Sequence, residues 1–211
     1  MGLIKLTAVS FSYIPDKPVI SGLDFELCNA ERIALSGANG AGKSTILKIM
    51  VGLLQPDGGV VEAFGRVRTK ERDFYEVRSR AGLLFQDADD QLFSPTVIED
   101  VRFGPLNQGL SQTNADIKAH QALQIVGLSG FEDRVAHKLS GGEKRLVALA
   151  TVLAMEPEVL LLDEPTAGLD NKTMARLVGI LEDLPQAMVI ISHDQNFLKK
   201  LVTRRVNLVP T

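Results

Sequence analysis

A single cysteine, Cys28, stands among the 211 residues, so no intrachain disulfide can form and the chain fits a reducing compartment. No apolar run approaches the ~20 residues that span a bilayer. The stretch from Met1 to Ser10 lacks the charged-then-apolar layout of a secretory signal. Internal repeats and low-complexity tracts are missing too. There is no surplus of positive charge: 23 Lys and Arg against 26 Asp and Glu give a formal net charge of -3, which disfavours non-specific nucleic-acid binding. What is present is ordinary for a globular protein, 45% hydrophobic and 23% charged. The length predicts one domain with a good core and room for subdomains. If such a chain serves a membrane, it is expected to do so from the cytoplasmic side through a partner.

The densest signal lies between Arg32 and Ile46. A short apolar run, Arg32 to Ser36, meets Gly37-Ala38-Asn39-Gly40-Ala41-Gly42-Lys43-Ser44-Thr45, and an apolar-periodic segment follows. This is the Gly-x4-Gly-Lys-[Ser/Thr] phosphate-binding pattern in its strand-then-helix setting. Glycines permit positive φ and remove the Cβ, so successive N–H groups can curl around a phosphate. The following helix directs its positive end at the same anion. Lys43 is expected to reach the β- and γ-phosphates of ATP, and the Ser44 hydroxyl to bind Mg²⁺.

Around this loop the chain alternates strands and helices. Leu3–Tyr13 and Val19–Leu27 read as an antiparallel pair, with a Pro-containing turn between them. Ser44–Val51 reads as a helix ended by Gly52, and Val60–Phe64 as a short strand. Residues 66–80 are charged and ambiguous. Ala81–Phe85, Val159–Leu162 and Met188–Ser192 are continuous apolar runs, as in strands buried on both faces. Between Asp87 and Pro157 there are helices and no convincing strand. A short helix is expected at Val97–Phe103, another behind a Ser111 cap, and a third opening at Ser140. Asn171–Leu181 and Gln195–Val202 complete the set. The expectation is an α/β fold with a mainly parallel sheet core, about 1–86 and 158–211, an N-terminal antiparallel β subdomain, and an inserted helical subdomain at about 87–157.

Chemistry-bearing residues gather at strand ends. Asp163 and Glu164 close the apolar strand Val159–Leu162, at the edge where open α/β sheets bind ligands. Asp163 can hold Mg²⁺ through water, and Glu164 can polarise the water that attacks a γ-phosphate. Gln86 ends another strand, where its amide can contact Mg²⁺ and the attacking water. His193 follows Met188–Ser192 and is placed to hydrogen-bond a γ-phosphate. Leu139-Ser140-Gly141-Gly142-Glu143 is a second Gly-rich turn before a helix, at once a capping box and a second anion site. Two such elements imply ATP sandwiched between two subunits, each lending its Ser140 turn to the other's nucleotide by two-fold rotation. Asp170, just after the acids, is expected to cross that interface. Tyr13 can stack on adenine or pack in the core, and position alone leaves both open.

Taken together these residues resemble the ATP-binding-cassette ATPases over essentially the whole chain, with a RecA-like P-loop NTPase core. The resemblance implies that Leu139 to Glu143 is the family's signature loop and that Tyr13 stacks on the adenine. Glu143 stands where many members have Gln, and Ala38 where Pro is common. The run Phe85 to Pro105, with Asp89-Asp90-Gln91-Leu92-Phe93 and Phe103-Gly104-Pro105, looks like the ATPase subunit of energy-coupling-factor importers of the cobalt/nickel type. It implies a peripheral subunit at the cytoplasmic face of the membrane, paired with a second copy or a paralogue. It also implies integral membrane subunits docking near Gln86–Pro105, with Leu92, Phe93, Val97, Ile98 and Val101 offering apolar contact. After His193 one helix and a brief tail to Thr211 are expected, without a regulatory extension. An importer of a vitamin or another solute is the alternative within the class. A soluble cassette acting on DNA or ribosomes is the alternative outside it. The segment between Gln86 and Leu139 is too short for a coiled coil, one cassette is present where ribosome-acting members usually carry two, and the acidic balance argues the same way, so no nucleic-acid partner is expected.

Overall fold

Strand β1 (Gly2–Ile14) carries Ile4, Leu6, Val9 and Phe11 on a buried face, with register shifts that let the alternation slip along its length. A computed structural model describes residues 2–208. The last residues of the expected tail, 209–211, lie outside them. β1 pairs antiparallel with β2 (Lys17–Cys28) on one side and with β4 (Gly58–Ala63) on the other. β4 in turn pairs with β5 (Arg66–Arg68), giving a four-stranded sheet in the order β2-β1-β4-β5.

The second sheet has five strands in the order β6-β7-β8-β3-β9. β3 is Arg32–Ser36, β6 Ala81–Leu84, β7 Val159–Asp163, β8 Ala187–Ile191 and β9 Arg204–Asn207. β7 and β8 are buried at every residue, as their unbroken apolar runs require. β3 is parallel to β8 and to β9, and β7 is parallel to β8. The carboxyl ends of β3, β7 and β8 therefore share one edge.

Helix α1 (Lys43–Met50) ends before Gly52, which takes the left-handed conformation. The ambiguous stretch 66–80 resolves into β5, a short 3-10 turn, and α2 (Phe74–Arg80). Then come α3 (Val97–Asn107), α4 (Gln112–Ile125), α5 (Gly141–Leu153), α6 (Asn171–Asp183) and α7 (Gln195–Leu201). By internal contacts the chain divides into two compact units. One takes residues up to Leu83, Glu158–Asp163 and the stretch from Pro185; the other takes Leu84–Pro157 and Glu164–Leu184.

Two expectations need correction. α3 does not stop at Phe103 but runs through Pro105 to Asn107, nucleated by a capping box between Thr96 and Glu99. Pro105 removes one donor. The ladder resumes beyond it, with the Gln108 amide donating to the Gly104 carbonyl at 3.0 Å. The segment after α7 is no plain tail, because β9 extends the sheet beside β3.

Candidate functional site

The loop after β3 is built for close backbone approach. Gly42 has φ 83, and a Cβ there would sit 3.0 Å from both Val19 Cγ1 and Ile20 Cγ1. Only glycine meets the angle and the space together. Behind it, α1 has no side-chain cap, whereas Ser111, Ser140, Asp170 and Asp194 cap α4, α5, α6 and α7. The first-turn N–H groups of α1 are thus left facing the loop, which suits an anion. Lys43 folds back, its Nζ donating to the carbonyls of Gly37 (3.0 Å) and Ala38 (2.9 Å). Gly40 is also at positive φ, Ala41 is buried, and Asn39 is exposed at the loop tip.

Tyr13 does not pack in the core: the residue is 58% exposed. Its hydroxyl shares a 3.0 Å hydrogen bond with Thr45 Oγ1, at the base of the phosphate loop, and Phe11 meets its edge at 4.9 Å. The open face is available to a planar ring. Ser44, Asp163 at the end of β7, and His193, two residues beyond β8, complete this sheet edge. Asp163 is buried and His193 exposed.

Glu164 follows Asp163 directly with φ 46, an uncommon conformation for a non-glycine residue that places it in a turn. A turn closes after it, the Ala167 amide donating to the Glu164 carbonyl at 3.1 Å. Asp170, exposed, caps α6 by accepting from the amides of Lys172 (2.9 Å) and Thr173 (3.0 Å). Those bonds, the Thr173 amide first, hold its carboxyl below the usual range.

In the second unit, Gln86 is exposed but its backbone is fastened. Buried Arg145 on α5 donates through Nη1 to the Phe85 carbonyl (2.8 Å) and through Nη2 to the Gln86 carbonyl (2.5 Å). Gln91 adds a brace, accepting from the Phe85 amide and donating to the Ala148 carbonyl and Thr151 Oγ1. One helix therefore joins the Gln86 segment to the Ser140 turn at its own N-terminus. That turn is a capping box: Ser140 N and Oγ both donate to Glu143 Oε2 at 2.8 Å. Gly141 faces open space. Gly142 lies against Thr173, 3.3 Å from where a Cβ would stand.

Sequence reasoning missed Arg145 and Asp100, and it named Gln91 only within the Asp89–Phe93 run, without its bracing role. Arg145 had a signal: a cation one turn before Leu149 on an apolar helix face seldom lies buried without carbonyl partners. Asp100 is also buried. Its Oδ1 accepts from the amides of Phe93 (3.1 Å) and Ser94 (2.8 Å), while its Oδ2 has no hydrogen-bond partner, and burial pushes its carboxyl up. It shapes the loop that presents Phe93, which is exposed and edge-on to exposed Phe103 at 4.8 Å.

A parallel sheet, a glycine-rich loop and an uncapped helix at one sheet edge define an α/β P-loop NTPase. The chain belongs to the ABC transporter family, whose model matches residues 20–167, and it is an ATP-binding ATPase of that family. The energy-coupling factor transporter ATP-binding protein EcfA of Methanothermobacter thermautotrophicus is 42% identical over 206 residues, covering 96% of this chain and 66% of its own length. The structure of cbiO1 from Clostridium perfringens, described as part of the ABC transporter complex cbiONQ, matches with TM-score 0.80 and 33% identity. That match covers 92% of this chain and 79% of that one. The ATP-binding cassette MJ0796, described as a dimer in a post-hydrolysis state bound to ADP and Pi, matches with TM-score 0.89 and 25% identity over 97% and 94% of the two chains.

Among the described residues no group of three or more His, Cys, Asp or Glu is placed to hold a metal, and no helix is long and apolar enough to cross a membrane.

Proposed function

We propose that this chain is the ATPase subunit of an energy-coupling-factor importer, one that takes up cobalt or nickel ions. It would work at the cytoplasmic face of the membrane as a peripheral subunit bound to integral transport subunits. Two copies, or this chain and a paralogue, close around two nucleotides. The observation that carries the reading is the uncapped glycine loop at α1, which suits a phosphate, with a second glycine turn opening α5, in a chain related to a transporter ATPase of that name.

The roles follow from the donors. The amides of residues 37–45 cradle the phosphates, and Lys43 exchanges its two loop carbonyls for β- and γ-phosphate oxygens. Tyr13 offers its open face to the adenine. Ser140, Gly141, Gly142 and Glu143 complete the partner copy's site, and Asp170 lies at the interface. Glu164 acts as general base toward the attacking water, with Gln86 orienting that water and His193 meeting the γ-phosphate. The Ser44 hydroxyl, Gln86 amide and Asp163 carboxylate are hard oxygen donors, the set that fits Mg²⁺. The ion, when bound, neutralises charge between the phosphates. Of the apolar residues expected to meet a helix of the membrane subunit, Val97 and Val101 are fully buried and cannot do so; Phe93, with Phe103 beside it, presents the apolar face.

Cobalt or nickel rests on the likeness of the Asp89–Phe93 run. The test is uptake of radioactive cobalt and nickel by cells expressing the transporter with this chain, against cells carrying Glu164→Gln. The proposal expects uptake of one of these metals that the variant abolishes. Unchanged metal uptake in the variant, or ATP-dependent uptake of a vitamin alone, contradicts it.

A further inference from the structure

The Ser140 hydroxyl has one proton to give. It gives that proton to Glu143 Oε2 at 2.8 Å, and the Ser140 amide donates to the same oxygen at 2.8 Å. The Glu143 amide returns a 3.3 Å bond to Ser140 Oγ. The other carboxylate oxygen, Oε1, meets Arg134 Nη1 at 3.5 Å. The Arg134 guanidinium lies over the Phe131 ring, 3.6 Å from its centroid, which steadies its plane. The Ser140 amide first, then its hydroxyl and the nearby Arg134 charge, hold the Glu143 carboxyl below its ordinary value, so the group is an anion at neutral pH.

This arrangement is good for the helix and poor for a nucleotide. A hydroxyl that donates to Glu143 does not donate to a phosphate. A carboxylate directly after the turn's two glycines also repels the γ-phosphate that the turn is to receive. Arg134 is the cation that meets that carboxylate among the described residues, and both side chains are open enough to move: 52% of Arg134 and 32% of Glu143 is exposed.

We propose that Glu143 is a gate on the Ser140 turn and that Arg134 is the positioning residue that opens it. As the partner's ATP arrives, the carboxylate releases Ser140 Oγ and swings onto Arg134. The Ser140 proton is then free for the γ-phosphate, and the displaced charge is neutralised. A Gln at position 143 would cap the helix without the charge. The Glu therefore raises the ATP level at which the clamp closes. This rests on the sandwich reading given under the proposed function.

The experiment titrates dimer formation with Mg-ATP by light scattering in a Glu164→Gln background. Glu143→Gln is expected to lower the half-saturating ATP about five-fold, and Arg134→Gln to raise it about five-fold. With Glu143→Gln already present, Arg134→Gln is expected to change it by less than about two-fold, because its charge partner is gone. Arg134→Lys, which keeps the charge, is expected to recover most of the loss. Thermal melts of each variant show that the fold survives. Higher half-saturation in Glu143→Gln, or an Arg134→Gln effect of equal size with and without Glu143, overturns the gate. If the Glu164→Gln protein with Arg134 and Glu143 intact does not pair at all, the sandwich reading fails instead, which is a different result.

Discussion

Two buried charged side chains decide how the second unit holds its loops. Arg145 satisfies two consecutive carbonyls, at Phe85 and Gln86, that would otherwise stand beside an apolar helix face. Arg145→Leu removes charge-assisted bonds to both, so it is expected to cost about 2 kcal/mol in stability. It is also expected to slow turnover more than it weakens ATP binding, since Gln86 loses its anchor. Denaturant unfolding and steady-state kinetics on one preparation check both.

Asp100 carries the opposite kind of message. Burial favours its neutral form, so its folded pKa lies above the ordinary 3.8. The linked stability is full below 3.8 and is lost as pH rises through the raised value. Asp100→Asn keeps an acceptor for the amides of Phe93 and Ser94 and has no charge to desolvate. Its melting temperature is expected to lose that decline between acid and neutral pH, relative to the native chain. An identical pH slope in the two proteins contradicts this.

At the scale of elements, the parts that declared themselves in the sequence were those whose burial is periodic or complete. β7 and β8 are apolar at nearly every position and buried throughout. α4 shows Ala119, Ala122 and Leu123 at helical spacing, with Val126 directly after it, and all four are buried. Leu123→Ala should accordingly cost about 3 kcal/mol through lost transfer and a residual cavity, measurable as a shift in the denaturant midpoint.

What stayed hidden had physical reasons. β9 reads Arg204-Arg205-Val206-Asn207, mostly exposed at a sheet edge, so backbone pairing with β3 and not side-chain burial makes it a strand. α3 continues past Pro105, its ladder resuming with the Gln108 amide on the Gly104 carbonyl. A Cβ on Gly104 would lie 2.5 Å from Met155 Cγ, so this turn lies directly against the chain after α5. The phosphate-loop glycines, the acids after β7 and the Ser140 capping box were legible as local structure because their spacing is tied to backbone geometry. Arg145, Gln91 and Asp100 were not, because their partners are amides and carbonyls that no pattern of side chains announces.

In the whole molecule, closure of two copies is the proposed event that ATP drives and hydrolysis reverses. Lys43→Ala should weaken nucleotide binding itself, because it removes the ammonium that turns from the Gly37 and Ala38 carbonyls to the phosphates. Glu164→Gln should bind ATP and fail to split it, with turnover down at least about 100-fold. The most direct measurement is the mass of the Glu164→Gln protein in solution, by light scattering, with Mg-ATP, with Mg-ADP and without nucleotide. A dimer is expected with Mg-ATP and a monomer in the other two conditions. A protein that binds Mg-ATP and stays monomeric, or one equally dimeric in all three, would contradict the proposed closure.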